Sequence, residues 1–404
     1  MNGQTTPPAV SGTPGPDGAD APSLEEMIRE SGLQRVLMLA WRDLEDPEAG
    51  GSEVHADKVA ERWARAGLEV VQRTARAQNH PDYKVRNGYQ VIRKAGRYAV
   101  FPRSAAASIA GRNGSYDGLV EIWNGMPFLS PVWSRKPRIV FLHHVHAEMW
   151  RMVLPPHMAR VGETIESKLA PPLYRRSEIV TLSESSRHEI ISMLHMRPEK
   201  VTVVPPGISP RFSPGGERSV RPLVVAVGRL VPVKRFDRLI RGLLAAKALV
   251  PELEAEIVGE GYERENLQEQ IDAAGATEWL RLVGRVDDDE LVRLYRRAWV
   301  VASASAREGW GMTLTEAAAC GTPAVATRIA GHSDAVADGI SGLLVDDVAD
   351  LGQVLASVLN DPALRAALVD GALKQAEQFT WDATALGTFA VLAGQAARRN
   401  RSRR

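Results

Sequence analysis

The chain has 404 residues, of which 44% are hydrophobic and 25% charged, and its formal net charge is +1. This length predicts two domains, and the balanced charge argues against a nucleic-acid-binding or disordered protein. A lone cysteine, Cys320, excludes an internal disulfide framework and fits a reducing compartment. Because no apolar run approaches the ~18 residues of a spanning helix and no signal pattern opens the chain, we expect a cytoplasmic protein.

Residues 1–30 are predicted to form a disordered N-terminal segment. Most of this segment is rich in proline, glycine, alanine and threonine and has no apolar periodicity. Such a composition cannot bury enough apolar surface to offset the entropy lost on ordering.

The segment 31–210 predicts a Rossmann-like domain. Residues 35–40 form an apolar run typical of a buried parallel strand, and residues 52–66 follow with apolar residues at helical spacing. The same alternation of strand and helix is typical of a parallel sheet with helical crossovers. Its further strands are predicted at 68–71, 118–123, 138–142, 179–182 and 201–204.

A turn-rich linker at residues 205–217 separates this domain from a second one, predicted at 218–380. Helices are expected at 235–246 and 351–359. The strands of the second domain are predicted at 223–227, 254–258, 280–283, 300–302, 324–326 and 342–345. The fold class is therefore α/β, with two doubly wound domains facing each other across a cleft.

Two glutamates, Glu308 and Glu316, stand in the segment 305–326 (SAREGWGMTLTEAAACGTPAVA). Glu308 follows an apolar strand, so it is expected in the crevice beyond the strand's carboxyl end, where open α/β sheets bind ligands. Glu316 lies about two turns inside the next helix. The amides at the start of that helix, near Gly311–Thr313, are suited to hold a phosphate between the two carboxylates.

The turn at residues 228–234 (GRLVPVK) adds two cations after the first strand of the second domain. Arg229 offers a planar fork to phosphate oxygens, and Lys234 adds a compact charge. Together they can stabilise a diphosphate that leaves with developing negative charge.

These motifs, with VGEG at 258–261 and VGRV at 283–286, resemble the retaining nucleotide-sugar glycosyltransferases of family 4, which have the two-Rossmann GT-B fold and an E-x7-E motif. The resemblance implies that Glu308 contacts the transferred sugar and that Glu316 holds the ribose hydroxyls. It implies diphosphate binding by Arg229 and Lys234, and partial recognition of the base by main-chain groups of the turn that contains Arg285. The remaining donor-binding residues that it implies are Gly309, Trp310, Gly311, Met312 and Thr313.

The first domain adds a glycine loop and a histidine to the resemblance. Gly50 and Gly51 match the loop that brings backbone close to the donor phosphate at a helix start. His143 is matched to the histidine that reaches the reacting centre, in preference to His144 and His146. The sequences EIWNGMPF at 121–128 and FLHHVHAEMW at 141–150 are similar to a bacterial and archaeal subset that builds cell-surface glycans.

Two groups of residues have rival interpretations as metal sites. His144 and His146 lack the cysteine or carboxylate partners of known zinc spacings, so a structural or acceptor-contact role is favoured. Asp287-Asp-Asp289 precedes a helical pattern and is predicted to be a helix cap rather than a cation site. We therefore expect neither a metal nor any other cofactor, with the nucleotide sugar as co-substrate.

The end of the chain is predicted to contain a helix at 381–397, which by resemblance crosses back to the first domain. The last residues, 398–404 (RRNRSRR), are strongly basic. Two interpretations stay open for them: a solvated tail, and peripheral contact with anionic lipid at the inner face of the membrane.

The sequence thus predicts a retaining hexosyltransferase that uses a nucleotide-diphosphate sugar. The expected acceptor is a glycan or a lipid-linked molecule in cell-wall, surface-polysaccharide or glycolipid biosynthesis. The alternatives are a non-catalytic nucleotide-sugar-binding protein or partner subunit of a glycan synthase, an epimerase or phosphorylase of the same fold, and an NAD-linked oxidoreductase. The last lacks its G-x-G-x-x-G turn.

Overall fold

The computed structural model describes residues 22–401, so the predicted disorder of residues 1–21 and the tail residues 402–404 lie outside the described part of the chain. Two sheets lie on either side of the linker predicted at 205–217. The domain boundaries 31–210 and 218–380 stay predictions, and both sheets fall inside them.

The first sheet has eight strands: β1 (Arg35–Leu39), β2 (Glu69–Thr74), β3 (Tyr83–Arg86), β4 (Tyr89–Arg93), β5 (Gly118–Ile122), β6 (Arg138–Phe141), β7 (Glu178–Thr181) and β8 (Val201–Val203). Their order is β3-β4-β2-β1-β5-β6-β7-β8, and only the β3–β4 pair is antiparallel. Helices cover both faces, which explains why the central strands are continuously apolar.

The helices of this half are α1 (Leu24–Ser31), α2 (Gly51–Arg65), α3 (Val100–Ile109), α4 (Ser130–Trp133), α5 (Met149–Val153), α6 (Pro156–Thr164), α7 (Pro171–Tyr174) and α8 (Glu184–Leu194). A π-helical turn, Ile165–Leu169, joins α6 to α7, and a 3₁₀ turn, Pro198–Lys200, precedes β8.

The second sheet is entirely parallel and contains β9 (Leu223–Val227), β10 (Glu254–Val258), β11 (Leu280–Gly284), β12 (Val300–Ser303), β13 (Ala324–Thr327) and β14 (Gly342–Val345). Its order is β11-β10-β9-β12-β13-β14. The remaining helices are α9 (Phe236–Leu249), α10 (Arg264–Ala273), α11 (Asp288–Arg297), α12 (Met312–Ala319), α13 (His332–Ala335), α14 (Leu351–Asn360), α15 (Pro362–Ala376) and α16 (Trp381–Arg401), with 3₁₀ turns at Pro232–Lys234 and Val348–Asp350.

Each sheet reverses its winding at one point, between β1 and β5 in the first and between β9 and β12 in the second. Ligands of open α/β sheets bind beyond the carboxyl ends of strands at such a switch point. The glycine loop follows β1, the Arg229 turn follows β9, and Glu308 follows β12. The topology therefore gathers the predicted site from three separate stretches of sequence.

The prediction of disorder over 1–30 is wrong for its last residues, because α1 begins at Leu24. Ser23 and Glu26 form a reciprocal capping box, with Ser23 N donating to Glu26 Oε2 at 2.8 Å and Glu26 N donating to Ser23 Oγ at 3.2 Å. Ile28 is buried in the core of the first domain. Helix α1 is capped and amphipathic and packs against α16, so it is ordered although the sequence before it is polar.

The prediction of a basic tail from residue 398 also needs correction, since α16 continues to Arg401. Arg398 Nη2 donates to Glu178 Oε1 at 2.6 Å, and α16 packs on the first domain through Phe389 and Leu392. Trp63 Nε1 donates to the carbonyl of Ala385 at 2.9 Å. The last helix is therefore part of the first domain's packing.

The two connections between the sheets pass each other at Gly207. A Cβ atom built on Gly207 would lie 2.1 Å from the backbone nitrogen of Trp381, so no larger residue fits there. Beside it, Ile208 N donates to the carbonyl of Phe379 at 3.0 Å. Across residues 22–401, no helix combines the length and apolar character needed to cross a bilayer.

Candidate functional site

The Arg229 turn is held by two glycines of the neighbouring β10 turn. A Cβ atom on Gly259 would lie 1.9 Å from the carbonyl oxygen of Gly228, and one on Gly261 would lie 2.2 Å from that of Leu230. Leu230 N donates to the carbonyl of Glu260 at 2.9 Å. The VGEG motif therefore supports the cationic turn through close backbone contact, which requires residues without a side chain.

Arg229 crosses the cleft towards the first domain. Its Nη1 donates to the carbonyl of Glu48 at 3.2 Å. Burial, together with the charge of Arg42, lowers the pKa of Arg229 from its usual value, although an arginine stays protonated at neutral pH. The structure thus places a half-buried cation between the two domains, where a diphosphate ligand is expected to bind.

Glu308 forms an ion pair with Lys234, and Ser305 Oγ donates to Glu308 Oε1 at 2.8 Å. Burial by itself disfavours the carboxylate, but the charges of Lys234 and His332 and the two hydrogen bonds lower the pKa of Glu308 to about 2. Glu308 is therefore ionised at neutral pH and can accept hydrogen bonds from sugar hydroxyls.

The carboxyl of Glu316 differs in having one hydrogen-bond partner within residues 22–401, the Tyr295 hydroxyl, at 3.4 Å from its Oε2. Burial raises the pKa of Glu316 to about 8. A protonated carboxyl both donates and accepts, so it can engage two neighbouring hydroxyls. The E-x7-E motif thus contains one charged and one neutral carboxyl at neutral pH.

Helix α12 begins after Gly311, which has φ 107°, so the start of the helix lies in sequence between Glu308 in the loop and Glu316 inside the helix. The first backbone bonds back to Gly311 come from Leu314 and Thr315, so the amides of Met312 and Thr313 precede the intrahelical ladder. The start of the helix therefore offers two free amides and its positive dipole end to an anion.

Gly309 and Trp310 occupy different positions in this loop. A Cβ atom on Gly309 would approach the carbonyl oxygen of His143 to 2.9 Å, so the glycine permits close contact between the domains. Trp310 is only 4% exposed and packs edge-on against Phe379 with ring centroids 5.1 Å apart. Its placement does not fit the predicted donor contact, because the indole fills an apolar cluster between the domains.

The glycine loop of the first domain faces Arg229 and α12 directly. Gly50 caps α2, and its amide donates to Glu53 Oε2 at 2.8 Å. A Cβ atom on Gly50 would lie 3.7 Å from Arg229 Nε, and one on Gly51 would lie 3.1 Å from Met312 Sδ. Any side chain here would narrow the space between the two domains.

Arg285 reaches the same loop from the second domain. Its Nη2 donates to the carbonyl of Pro47 at 3.2 Å, and its side chain is exposed. The predicted contact with the donor therefore falls to the backbone of this turn, since the guanidinium is engaged with the first domain.

The structure does not bring His143 to the charged residues. His143 is 5% exposed, and its Nε2 lies 3.2 Å from Nδ1 of the fully buried His55. The His55 ring packs against Phe141 and Trp381, and the His143 ring lies against His55 and Phe141. Burial and the neighbouring His55 hold the pKa of His143 well below its usual range, so the ring is neutral.

His144 occupies the place predicted for His143. Its Nδ1 would lie 3.4 Å from a Cβ atom on Gly309, and its Nε2 is buried without a hydrogen-bond partner among the described residues. Burial and Arg307, with smaller effects from Lys234 and Arg229 and an opposing one from Glu308, lower the pKa of His144 to about 4. The structure therefore favours His144 over His143 as the histidine that lies beside the Gly309 loop, whereas the role of either ring at the reacting centre stays a prediction.

Several residues of the site were missed. Glu166 lies in the π-helical turn, is 2% exposed, and accepts from the amides of His146 and Ala147 at 2.9 and 3.1 Å and from Trp150 Nε1 at 2.9 Å. Glu166 therefore holds the loop that contains His144 and His146, which we call the histidine loop, through its backbone amides and Trp150. No sequence signal marks a π turn, so Glu166 could not be predicted. Ser305 stands three residues before Glu308, and its hydrogen bond to that carboxylate could have been predicted from this spacing.

Arg307 and Asp334 join the second domain to the first on the side of the histidines. Arg307 Nε donates to the carbonyl of Val145 at 2.7 Å, and its Nη2 lies 2.5 Å from Glu189 Oε2. Asp334 Oδ1 accepts from the amide of Glu184 at 2.9 Å, at the start of α8. Ser183, which caps α8, also donates to the carbonyl of Gly309 at 3.2 Å.

The predicted helix cap at Asp287 is confirmed, because its carboxylate accepts from Glu290 N at 2.8 Å at the start of α11. Within residues 22–401, no group of three or more histidine, cysteine, aspartate or glutamate side chains is arranged to hold a metal ion. His144 and His146 stack on each other with centroids 4.9 Å apart.

Comparison with known proteins covers both halves of the chain. The family model described as Glycosyltransferase Family 4 matches residues 49–212, and the model described as Glycosyl transferases group 1 matches residues 211–375. A D-inositol 3-phosphate glycosyltransferase from Streptosporangium roseum is 29% identical over 430 residues, covering 93% of this chain and 96% of that protein. One of the same name from Salinispora arenicola is 36% identical over 240 residues, covering 53% and 54%.

Solved structures of low sequence identity share the fold. Sucrose-phosphate synthase from Thermosynechococcus elongatus has a TM-score of 0.76 at 20% identity and covers 92% of this chain and all 100% of that one. WaaG, a glycosyltransferase involved in lipopolysaccharide biosynthesis, has a TM-score of 0.70 at 17% identity and covers 88% and 99%. Because the two family models together match residues 49–375 and the fold is shared with these structures, the chain belongs to the family 4 glycosyltransferases and is a glycosyltransferase of GT-B fold.

Proposed function

We propose that the chain transfers a hexose from a nucleotide-diphosphate sugar to an acceptor hydroxyl with retention of the anomeric configuration. The observation that carries this proposal is that the glycine loop lies across the cleft from Arg229 and Met312, in the domain that also holds the Lys234–Glu308 pair. The space between them is lined by cations, helix-start amides and carboxyls, which match a diphosphate flanked by two polyhydroxy groups.

In this proposal the diphosphate of the donor lies against Arg229, Lys234 and the amides of Met312 and Thr313. The sugar lies beside Glu308, and the ribose lies beside Glu316. As the bond between the anomeric carbon and the phosphate oxygen breaks, negative charge grows on the diphosphate, where the cations and amides stabilise it.

No carboxylate is placed as a protein nucleophile, because Glu308 is engaged by Lys234 and Ser305. We assign the acceptor's proton to the departing phosphate, which lies on the same face as the incoming hydroxyl. His144, neutral and with an unpartnered ring nitrogen, is suited to hydrogen-bond the transferred sugar from the first-domain wall. In this scheme no metal ion or other cofactor takes part.

The acceptor is the finer part of the proposal. We retain a glycan or lipid-linked acceptor in cell-wall, surface-polysaccharide or glycolipid synthesis, with the enzyme in the cytoplasm and in peripheral contact with the membrane. The relatives named D-inositol 3-phosphate glycosyltransferase add a phosphorylated polyol as the first soluble acceptor to assay.

The test is a transfer assay with uridine, guanosine and adenosine diphosphate sugars against inositol 3-phosphate and lipid-linked glycan acceptors. We expect one donor family to yield a product, and the anomeric proton coupling of that product by NMR to match the donor. Inversion at the anomeric carbon would refute retention. Binding of a donor without any turnover would instead favour a non-catalytic nucleotide-sugar-binding protein.

A further inference from the structure

One face of the first domain combines exposed apolar side chains with cations and lacks acids. We call it the α4–α7 face and define it as residues 129–136 and 168–176, which include α4, the end of the π-helical turn, and α7. Helix α4 packs against α7, and α7 packs against the π turn, so the two segments are adjacent. Four large apolar residues are exposed on it: Leu129 (40%), Val132 (66%), Leu169 (61%) and Leu173 (44%).

Cations surround these apolar side chains. The two segments contain no aspartate or glutamate in a chain whose net charge is only +1. All the cations in them are exposed, and none forms an ion pair with any residue in the described range 22–401. They are Arg135, Lys136, Lys168, Arg175 and Arg176.

The absence of acids matters because exposed arginines elsewhere in the described chain are commonly paired. Arg151, for example, donates to Glu163 at 2.7 Å, and Arg293 pairs with Glu290 at 2.7 Å. Unpaired cations beside exposed leucines are suited to a surface that is negatively charged outside and apolar beneath. A nucleic acid would match the charge but would leave the leucines in water.

We propose that the α4–α7 face docks on an anionic lipid bilayer, with Leu169 and Leu173 entering the headgroup region and the five cations contacting lipid phosphates. This inference rests on the peripheral membrane contact of the proposed function and assigns that contact to one surface outside the cleft, so it can fail while the transfer reaction stands.

The position of the face gives the docking a functional consequence. The π-helical turn that ends in the exposed Lys168 and Leu169 also contains Glu166, which holds the amides of His146 and Ala147. The histidine loop of the cleft is therefore anchored to an element of the docking surface. Docking would place the first-domain wall next to the bilayer, where an acceptor carried by lipid is found.

The test is cosedimentation of the full-length protein with vesicles of pure phosphatidylcholine, or of phosphatidylcholine with 30% phosphatidylglycerol as a chosen composition, at low and high salt. We expect binding only to the anionic vesicles, with loss at high salt. The triple variant K168E/R175E/R176E should lower the vesicle partition coefficient about a hundredfold or more. The control R112E/R197E/K374E changes the net charge equally at exposed cations elsewhere and should retain more of the binding.

A second pair of variants tests the apolar contribution. L169S/L173S should weaken vesicle binding at least tenfold, whereas V220S/I340S, at sites 96% and 60% exposed in the second domain, should not. Failure of the wild type to bind anionic vesicles at low salt, or equal loss in both charge triples, would overturn the proposal. So would binding to RNA with no binding to vesicles. Retention of the nucleotide-induced thermal shift in all variants shows that their clefts are intact.

Discussion

The two walls of the cleft, one from each domain, differ in their side chains and in their expected roles. The second-domain wall holds charge: Arg229, the Lys234–Glu308 pair and the start of α12. The first-domain wall brings backbone close to these groups at Gly50 and Gly51, beside a neutral His144, and its charged residue Arg42 is paired with Glu48 and Glu53 of the same wall. Charged residues are placed where a diphosphate needs them, and side chains are absent where the backbone must come close. A change on the charged wall should therefore affect the chemical step, whereas a change on the bare wall should affect access and fit.

The largest effect is expected for Arg229→Ala. Loss of one preorganised cation should raise the barrier by about 2.7–4 kcal/mol, which slows transfer at least a hundredfold. The measurement is kcat in the transfer assay. Arg221→Ala is the control, because Arg221 precedes the same strand at its opposite end and pairs with Glu254 on the surface at 3.1 Å. Near-normal turnover by Arg229→Ala would show that Arg229 does not stabilise the departing diphosphate.

The two adjacent histidines sharpen the comparison on the first-domain wall. His144→Ala should lower kcat about tenfold or more with little change in Tm, because its ring faces the site and has no protein partner at Nε2. His143→Ala should instead lower the free energy of unfolding by about 1–3 kcal/mol, since it leaves the buried His55 unpaired. Turnover and thermal unfolding of both variants are measured side by side. The reverse pattern would restore His143 as the residue at the reacting centre.

The two glutamates of the motif should respond to pH with opposite signs. Glu308 has its pKa lowered to about 2, so its pairing stabilises the fold above pH 4.5 and the stabilisation is lost as pH falls through about 2. Glu308→Gln should therefore lower the free energy of unfolding by about 1–3 kcal/mol at pH 7, with less difference from wild type as the pH approaches 3.

Glu316 has its pKa raised to about 8, so its contribution to stability falls as pH rises from 4.5 to 8. Glu316→Gln should gain stability relative to wild type over that range while losing nucleotide affinity. Denaturant unfolding between pH 4 and 8 checks both variants, with the exposed Glu265→Gln as control. Identical pH profiles for Glu308→Gln and Glu316→Gln would contradict the assignment of one charged and one neutral carboxyl.

The smallest effect is expected for Gly51→Ala. Alanine in the first turn of α2 should leave Tm unchanged or slightly raised, but its Cβ would lie 3.1 Å from Met312 Sδ. The domains would close less well, and KM for the donor should rise a few-fold with kcat nearly constant. Steady-state kinetics of Gly51→Ala and of the double variant with Met312→Ala check this, because the shorter side chain should restore KM. A lowered kcat that the second change does not restore would point to a direct chemical role for the loop.

The charged wall could be predicted closely from the sequence, and the bare wall less so. Strands β9 and β14 have the predicted bounds because each is a short apolar run limited by turn residues, and β10 has them although it contains Glu254 and Glu256. At the end of β6 both faces of the strand are buried, so the period of two gives no sign of which histidine faces the cleft. The orientation depends on the following loop, which Glu166 holds from a π turn that has no sequence signature.

Two other omissions had signals in the sequence. The β3–β4 hairpin turns at Asn87 and Gly88, with φ of 47° and 89°, which is the Asn-Gly pattern of a tight hairpin. The capping box of Ser23 and Glu26 likewise marks the start of α1. Local sequence patterns were sufficient to predict both features. The burial of Trp310 depends instead on Phe379, 69 residues further along the chain, so the motif around Trp310 does not reveal that its indole packs between the domains.

The most direct test of the two-wall account is a thermal-shift panel of uridine, guanosine and adenosine diphosphates and their sugars, with wild type and Arg229→Ala in parallel. A ligand at a hundred times its Kd adds about 2.7 kcal/mol, which should raise Tm by several degrees. The account predicts a shift with one base family that is strongly reduced in Arg229→Ala and retained in Arg221→Ala. An equal shift in wild type and Arg229→Ala would contradict it, because the diphosphate would then bind away from the charged wall.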